Sequence, residues 1–432
     1  MNQHKQVKDM SQLRQDAWTV IKESIRAVLP DSAVRDALNK KTIDKEVTVI
    51  AIGKAAWNMA RAAKDQLGDK VVRGLVVTKY DHSNGPIPGF EIIEAGHPIP
   101  DHNAVAGAGK ALEMVSGLTE KDMILLLVSG GGSALFEKPL EGLELEDIMD
   151  ITDQLLSRGA DIVEMNTVRK HLSMVKGGRF AEACKGVEIY VAVLSDVIGD
   201  HLDVIASGPA FPDTSTSGDA FRILDKYGIT VEDHIREAIS IETPKVLQHC
   251  ESVITGSVTK LCEAAASSCE ALGYKPLILS ASVDCEAKEA GRMLASLARE
   301  AVLSSKSAYK PEAPCAFIAG GETVVHLKGK GKGGRNQEVA LSAATGIENL
   351  DNVLIFSVGS DGTDGPTEAA GGMVDGGTLE RVRQSGILPE VYLEMNDSYH
   401  ALEASGDLIV THATGTNVND LMVVLVGRAL QG

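Results

Sequence analysis

The sequence predicts an α/β protein of two domains. Short runs rich in Val, Ile and Leu alternate with longer stretches of helical spacing, several of these runs are continuously apolar, and several end in glycine followed by a polar residue. Alternating strand and helix signals mean layered α/β architecture. Continuous apolar runs mark parallel strands covered on both faces. Glycine-plus-polar endings place hydrogen-bonding and charged groups at the carboxyl edge of a sheet, where open α/β sheets bind ligands. A chain of 432 residues also exceeds one ordinary core, so two or three domains are expected.

In chain order, residues 16–29 space Ala17, Val20, Ile21, Ile25 and Leu29 along one face of an amphipathic helix, which suits a cover for a sheet. Strand signals follow at 47–52, 72–78, 90–94, 123–128 and 188–194. Residues 143–157 and 161–183 carry no strand signal and read as a helical insertion. Further strand signals lie at 252–255, 276–280, 315–319, 323–327, 353–358, 407–411 and 421–427. The close pairs 315–319 with 323–327 and 407–411 with 421–427 suggest hairpins or crossovers of a mixed sheet. Polar stretches occupy 241–250 and 304–314, and the second reads as a flexible connector. The main boundary is placed near 245. Residues 1–245 then form a Rossmann-like domain with a mainly parallel sheet and the helical insertion, and residues 246–432 form a smaller α/β domain with a mixed sheet.

Composition narrows the function. A formal charge of −18 repels polyanions and leaves phosphate binding to local sites, so nucleic acid is excluded as a partner. Aromatic residues are only 4%, too few for a stacking platform. No apolar run approaches the ~18 residues that would span a bilayer, and the polar N-terminus carries no targeting signal, so a cytoplasmic protein is expected. The six cysteines include no C-x-x-C pair and read as reduced core residues. The sequon Asn396-Asp-Ser398 carries little meaning without a secretion signal.

Several strand ends carry the chemistry. Met123–Val128 runs into Ser129-Gly130-Gly131-Gly132-Ser133, a loop whose amides and hydroxyls can cradle an anion, helped by a helix from about Ala134; a tight structural turn is the alternative. The strand at 47–52 ends in Gly53-Lys54, where lysine can touch a ligand's phosphates or stay solvated. Asn166-Thr-Val-Arg169-Lys170-His171 and Lys176-Gly-Gly-Arg179 concentrate basic residues in the insertion. Asp196, in Leu194-Ser-Asp-Val-Ile-Gly-Asp200, suits Mg²⁺ or activation of a hydroxyl, with helix capping as the competing role.

The densest cluster lies further on. Gly320-Gly-Glu322-Thr323 precedes Lys328-Gly-Lys330-Gly-Lys332-Gly333-Gly334-Arg335-Asn336-Gln-Glu338 and a helical pattern, Val339 to Gly346. Lysines interleaved with glycines can close over a polyphosphate as a mobile lid, with Arg335 at the helix start neutralising charge in transfer; a solvated basic loop is the alternative. Residues 353–358 end in Gly359-Ser-Asp361-Gly362-Thr363-Asp364-Gly365. The string Gly329-x-Gly331-x-x-Gly334 matches a dinucleotide fingerprint only weakly, and no Walker-type Gly-Lys-Ser/Thr is present. Val410 to Asp420 can line a ligand or form a turn.

Taken together, Ser129–Ser133, Asn166–Lys170, Leu194–Asp200, Gly320–Glu338, Gly359–Gly365 and Gly415–Asp420 resemble the glycerate 2-kinase family with a C-terminal MOFRL domain, over nearly the whole chain. The resemblance implies transfer of a phosphoryl group from ATP to D-glycerate, giving 2-phosphoglycerate, in a cleft between the two domains and with Mg²⁺. It implies Lys54 and Arg335 as the charged catalytic pair and Asp196 as the group that orients or deprotonates the hydroxyl. Ser129, Gly130, Gly131, Gly132, Ser133, Lys330, Lys332, Gly333, Gly334, Asp361, Gly362 and Thr363 become phosphate or nucleotide contacts. Arg169 and Asn336 become substrate contacts, Glu322 a contact to substrate hydroxyls or to metal, and Asp361 and Asp364 the metal ligands or nucleotide-loop residues. Glycerate and nucleotide are the partners; a homodimer is allowed and not required. The rivals are an NAD(P)H-dependent hydroxypyruvate reductase and a catalytically silent nucleotide-binding module.

Overall fold

The computed structural model describes residues 10–303 and 312–427, so most of the connector expected at 304–314 lies outside the described residues. The chain divides into two compact units, one of Pro30–Thr255 and one of Met1–Leu29 with Gly256–Gly432.

The unit Pro30–Thr255 is built on β1 (Glu46–Ile52), β2 (Val71–Lys79), β3 (Phe90–Ala95), β4 (Asp122–Val128), β5 (Glu188–Leu194) and β6 (Cys250–Gly256), in the order β3-β2-β1-β4-β5-β6. The pairs from β3 to β5 are all parallel. Strand order reverses between β1 and β4, the place where doubly wound sheets open a crevice. The register sets the last residues of these strands side by side: Ile52 pairs with Val77 of β2 and Val128 of β4, and Val128 pairs with Val193 of β5. Six of the seven residues of β4 are buried, as a continuous apolar run between two helical layers requires.

The helical insertion has a core of its own, in which Leu143, Ile148, Ile151, Leu155, Val168 and Leu172 meet Ala220, Leu224 and Ile239. The helix expected over 161–183 stops sooner. Ile162–Leu172 starts on an Asp161–Glu164 capping box and ends where Ser173 bridges back to Pro139. A separate short helix, Arg179–Ala183, resumes after Gly177 and Gly178. Residue 245 falls inside this unit, because the polar stretch before Cys250 leads into β6, an edge strand of the first sheet.

The other unit holds a mixed sheet of β7 (Lys275–Val283), β8 (Cys315–Gly321), β9 (Val353–Gly359), β10 (Gly371–Asp375), β11 (Leu408–Ile409) and β12 (Asp420–Val426), in the order β11-β10-β9-β12-β8-β7. β7 and β8 are parallel, while β12 runs antiparallel between β8 and β9. The expected strand at 323–327 is absent. Val324 makes one isolated bridge to Glu286, and Val324 and Leu327 are 47% and 80% exposed, so nothing covers a second strand there. β11 is only two residues long and pairs with β10, making the link to β12 a crossover and not a hairpin. β10 escaped the sequence reading because two of its five residues are glycines, yet it is fully buried beside β9.

The opening helix, Met10–Ala27, covers this second sheet, packing on the helix Val258–Ala271 and on β9. Leu13, Ala17, Val20, Ile21 and Ile25 form its buried face. Arg14 is ion-paired with the buried Asp375 and Asp407, and Tyr274 donates to Asp16 at 2.7 Å. Arg381 bonds the same two carboxylates, so four charges are shared in one network. Arg14→Ala is expected to destabilise this unit by about 1–3 kcal/mol, because two buried carboxylates lose one of their two cationic partners and keep only Arg381 as a cation. A lowered urea midpoint in the fluorescence of Trp18, on the same helix, checks this; an unchanged midpoint would show that the helix is held by its apolar face alone.

Candidate active site

In the unit Pro30–Thr255, the loops after β1 and β4 are locked together. Lys54 N donates to the Gly130 carbonyl at 2.9 Å, and Ala55 N donates to Ser129 Oγ at 3.1 Å. Gly53 sits at φ 111°, and a Cβ there would stand 2.3 Å from Ser129 Oγ, so only glycine permits the approach. Ser129 also donates to the Ile52 carbonyl at 3.2 Å and is buried. Its hydroxyl therefore staples two strand ends and is not offered to a ligand, contrary to its expected role.

Gly130, Gly131 and Ser133 are partly exposed, while Gly132 is buried against Ala206. The amides of Gly130, Gly131, Gly132 and Ser133 have no protein acceptor among the described residues, which leaves a consecutive row of donors. The helix expected after this loop is a single turn, Gly132–Leu135, so its dipole adds little and the amides themselves make the anion site. A Cβ on Gly130 would lie 2.0 Å from Asp196 Oδ2, and one on Gly131 would lie 3.0 Å from His97 Nε2 and 3.2 Å from Lys54 Cε. Asp196, His97 and Lys54 thus surround one stretch of bare backbone. Lys54 is half-buried and makes no ion pair among the described residues. Burial holds the His97 imidazole below its ordinary value, and the nearby charges of Lys54, Lys79 and His82 push it the same way. The sequence reading missed His97. It follows β3 as Lys54 follows β1, so the same strand-end logic would have found it.

The loop is buttressed from the insertion. Ser133 and Ser207 share a hydroxyl hydrogen bond of 2.9 Å, and Ser207 donates to Asn166 Oδ1 at 3.3 Å. Ala206 and Ser207 both hold left-handed backbone, φ 51° and 59°, a strain that tends to collect at functional sites. Arg169, expected to touch substrate, donates to the Ser133 carbonyl at 2.9 Å and supports the loop from behind. Lys176 is fully buried, donating to the Phe136 carbonyl at 2.8 Å and ion-paired with Glu137 at 3.1 Å. Burial pushes its ammonium down to about 8 against the pull of Glu137.

In the other unit, Arg335 is the first residue of the helix Arg335–Ile347, as expected. Its guanidinium meets Asp420 at 2.6 and 3.2 Å and Glu322 at 2.8 Å. Asp420 opens β12 opposite Gly321 and Gly359, so Arg335, Glu322 and the Gly359–Asp361 turn share one end of the sheet. Burial pushes the Asp420 carboxyl up to about 6, while Arg335 pulls the other way. Glu322 is thereby engaged in orienting Arg335. Asn336 is buried, accepting from Ser357 Oγ at 2.5 Å and donating to Asp364 at 3.3 Å, so it is interior and not a substrate contact.

Asp364 caps the same helix. It accepts from the amides of Asn336 at 3.1 Å and Gln337 at 2.9 Å and from the Gln337 side chain at 2.9 Å. Both oxygens are spent and the residue is buried, so the metal role expected of it gives way to capping. Asp361 is half-buried, with Oδ1 accepting from Thr363 N at 2.9 Å and no hydrogen bond recorded for Oδ2 among the described residues. Residues 411–419 brace this turn: Thr414 N donates to the Asp361 carbonyl at 3.1 Å and Val418 N to Ser360 Oγ at 2.8 Å. Among the described residues, no group of three or more His, Cys, Asp or Glu side chains is placed to hold a metal ion.

The basic loop is docked along one edge, and the picture of a mobile lid does not hold. Gly331 N donates to the Met395 carbonyl at 3.0 Å, Lys332 N to Asp397 at 2.9 Å, and Tyr399 N to the Lys332 carbonyl at 3.0 Å. Lys332 Nζ lies 3.8 Å over the Tyr399 ring and 3.3 Å from Glu368, whereas Lys330 is exposed and without an ion pair among the described residues. A Cβ on Gly329 or Gly331 would fall 2.1 Å from the Met395 carbonyl or 2.4 Å from Asp397. These glycines serve a close approach of two backbones, which accounts for the weak dinucleotide fingerprint without a dinucleotide.

Comparison with known proteins adds to this geometry. A family model described as a domain of unknown function, DUF4147, matches residues 16–240, and the MOFRL family model matches residues 315–420. A protein named D-glycerate 2-kinase from Thermotoga maritima is 53% identical over 97% of this chain and 99% of its own length. A glycerate 2-kinase from Pyrococcus horikoshii is 42% identical over 96% and 97%. The crystal structure of glycerate kinase from Thermotoga maritima superposes with a TM-score of 0.93 at 52% identity, covering 96% of this chain and 100% of that one.

Removing the cap tests the assignment of Asp364. Asp364→Ala should lower stability by about 1–3 kcal/mol in buffer free of divalent cations, read from the urea midpoint. A loss that emerged only with Mg²⁺ present would restore the metal role.

Proposed function

The chain belongs to the glycerate 2-kinase family with DUF4147 and MOFRL domains, and from that premise we propose that it transfers the γ-phosphoryl group of ATP to the 2-hydroxyl of D-glycerate, giving 2-phosphoglycerate and ADP. The observation that carries this reading is the row of four amides, Gly130 to Ser133, that have no acceptor among the described residues, beside Lys54, which has no counter-ion among them. In a chain of net charge −18, such a site selects an anion by local donors.

Phosphoryl transfer needs in-line positioning and neutralisation of charge more than covalent chemistry. The glycerate oxygen attacks the γ-phosphorus, the bond to the bridging oxygen of ADP breaks, and the hydroxyl proton passes to a base. Asp196 supplies the base, Lys54 and Arg335 stabilise the charge on the transferring group, and the Gly130–Ser133 amides hold phosphate oxygens. Lys330 and the 333–334 backbone contact the nucleotide's phosphates. Asp420 and Glu322 orient Arg335, so that its fork is set before substrate arrives. Magnesium prefers oxygen donors and keeps several phosphate and water ligands, so one carboxylate suffices on the protein side. Asp361 fits that demand and Asp364 does not. When bound, the cation neutralises phosphate charge.

Supplying D-glycerate, ATP and Mg²⁺ should release ADP, with 2-phosphoglycerate identified by NMR. Oxidation of NADPH by hydroxypyruvate without ADP release would overturn the reading. Lys54→Ala and Arg335→Ala should each lower kcat by about 10²–10³-fold, with circular dichroism unchanged, because each removes charge stabilisation and no core packing.

A pH dependence follows from Asp420, whose carboxyl is pushed up to about 6. Above that pH it is ionised and holds Arg335; as pH falls through it, the carboxyl takes a proton and the hold is lost. The wild-type rate should therefore show an acid limb near pH 6, whereas Asp420→Asn should run slower above that pH and lack that limb. An identical limb in the variant would assign it to another group.

A further inference from the structure

The segment Asn396-Asp397-Ser398 reads from sequence as an idle sequon, yet in the structure it is the surface on which the basic loop is docked. Asn396 is 8% exposed and holds left-handed backbone at φ 55°, a conformation asparagine tolerates better than most residues. Its side-chain amide is fully used. Oδ1 accepts from Lys328 N at 2.7 Å and Gly329 N at 3.0 Å, while Nδ2 donates to Glu338 Oε2 at 3.1 Å and to the His326 carbonyl at 3.4 Å. Two acceptor and two donor bonds exhaust what an asparagine side chain offers.

The partners are what give this arrangement meaning. Lys328 and Gly329 open the basic loop, and Glu338 lies one turn into the helix that begins with Arg335. One planar amide therefore ties the start of the loop to the helix that carries the arginine. Asp397, next in sequence, ties the loop again at Lys332 N.

We propose that Asn396 is a positioning residue for nucleotide binding: by clasping the Lys328–Gly329 backbone to Glu338, it presets the loop that presents Lys330 to a polyphosphate. This rests on the proposed ATP-dependent activity. A loop ordered before the ligand arrives does not spend binding energy on its own ordering, so the benefit appears in affinity for the polyphosphate and not in the chemical step.

The groups facing the clasp are Glu338 on the helix Arg335–Ile347, Glu286 and Lys288 where the helix Ala287–Leu303 begins, and His326 on the approach to the loop. Burial raises the Glu338 carboxyl, and the Asn396 hydrogen bond draws it down. Asn396→Asp would set a second carboxylate against Glu338 and remove the donor. At lower pH one proton shared by the two carboxyls can restore a donor; Asn396→Ala has no such remedy.

Hydrogen exchange of the 328–333 amides and steady-state kinetics on the full-length protein test this together. Asn396→Ala should speed exchange at Lys328 and Gly329 and raise KM for ATP about tenfold, the loss of one or two hydrogen bonds' worth of ordering, while kcat stays within about threefold and KM for glycerate is unmoved. For Asn396→Asp, KM for ATP should fall back toward the wild-type value between pH 8 and pH 6. Unchanged exchange in Asn396→Ala would overturn the clasp, and faster exchange with unchanged KM for ATP would overturn its role in nucleotide binding. Failure of the ATP-dependent reading is distinct, since the wild-type protein would then release no ADP at all.

Discussion

The close approach of Gly53 to Ser129 is the constraint on which the anion-binding candidate loop of the unit Pro30–Thr255 depends. It sets the end of β1 against the end of β4 at the point where strand order reverses, and Lys54 N closes the contact on the Gly130 carbonyl. With Ser129 spent on stapling, the amides that follow it are left without acceptors among the described residues. A strongly acidic chain can in this way hold a phosphate with backbone donors and one lysine, and it keeps the solubility that its net charge confers. Strain at Ala206 and Ser207 is maintained on the same side by hydrogen bonds to Ser133 and Asn166.

The second unit solves a complementary problem, that of holding a guanidinium ready without burying an uncompensated charge. Asp420 and Glu322 share Arg335, Asp364 fixes the first turn of its helix, and Asn396 joins that helix to the basic loop. Carboxylates that in sequence look like metal ligands or substrate contacts are thus largely engaged in setting cations in place. Preorganised cations act on charge as it develops, with no reorganisation at the moment of reaction.

Much of this was legible in the sequence. The parallel strands were visible because β1, β4 and β5 are apolar runs ending in polar groups, and the helical insertion because 143–157 keeps strict helical spacing. β10 was invisible because its glycines carry no pattern, and the strand expected at 323–327 failed because alternating apolar residues there are left exposed. The placement of Lys54 just after a strand end and of Arg335 at a helix start could be read from the sequence. The roles of Ser129, Arg169, Glu322, Asn336 and Asp364 could not, since each depends on a partner remote in sequence: Ile52, Ser133, Arg335, Ser357 and Gln337. Residue type and spacing mark candidates; only the contact says whether a side chain serves the ligand or the scaffold.

The proposed function gives Lys54 and Arg335 the same task, neutralising charge during phosphoryl transfer, and a double-mutant cycle on kcat for ADP release tests that proposal most directly. If both cations stabilise the same transition state, the double alanine variant should lose far less than the product of the two single losses, as groups acting as a unit do. Losses that multiply, each cation contributing as though the other were elsewhere, would contradict the account.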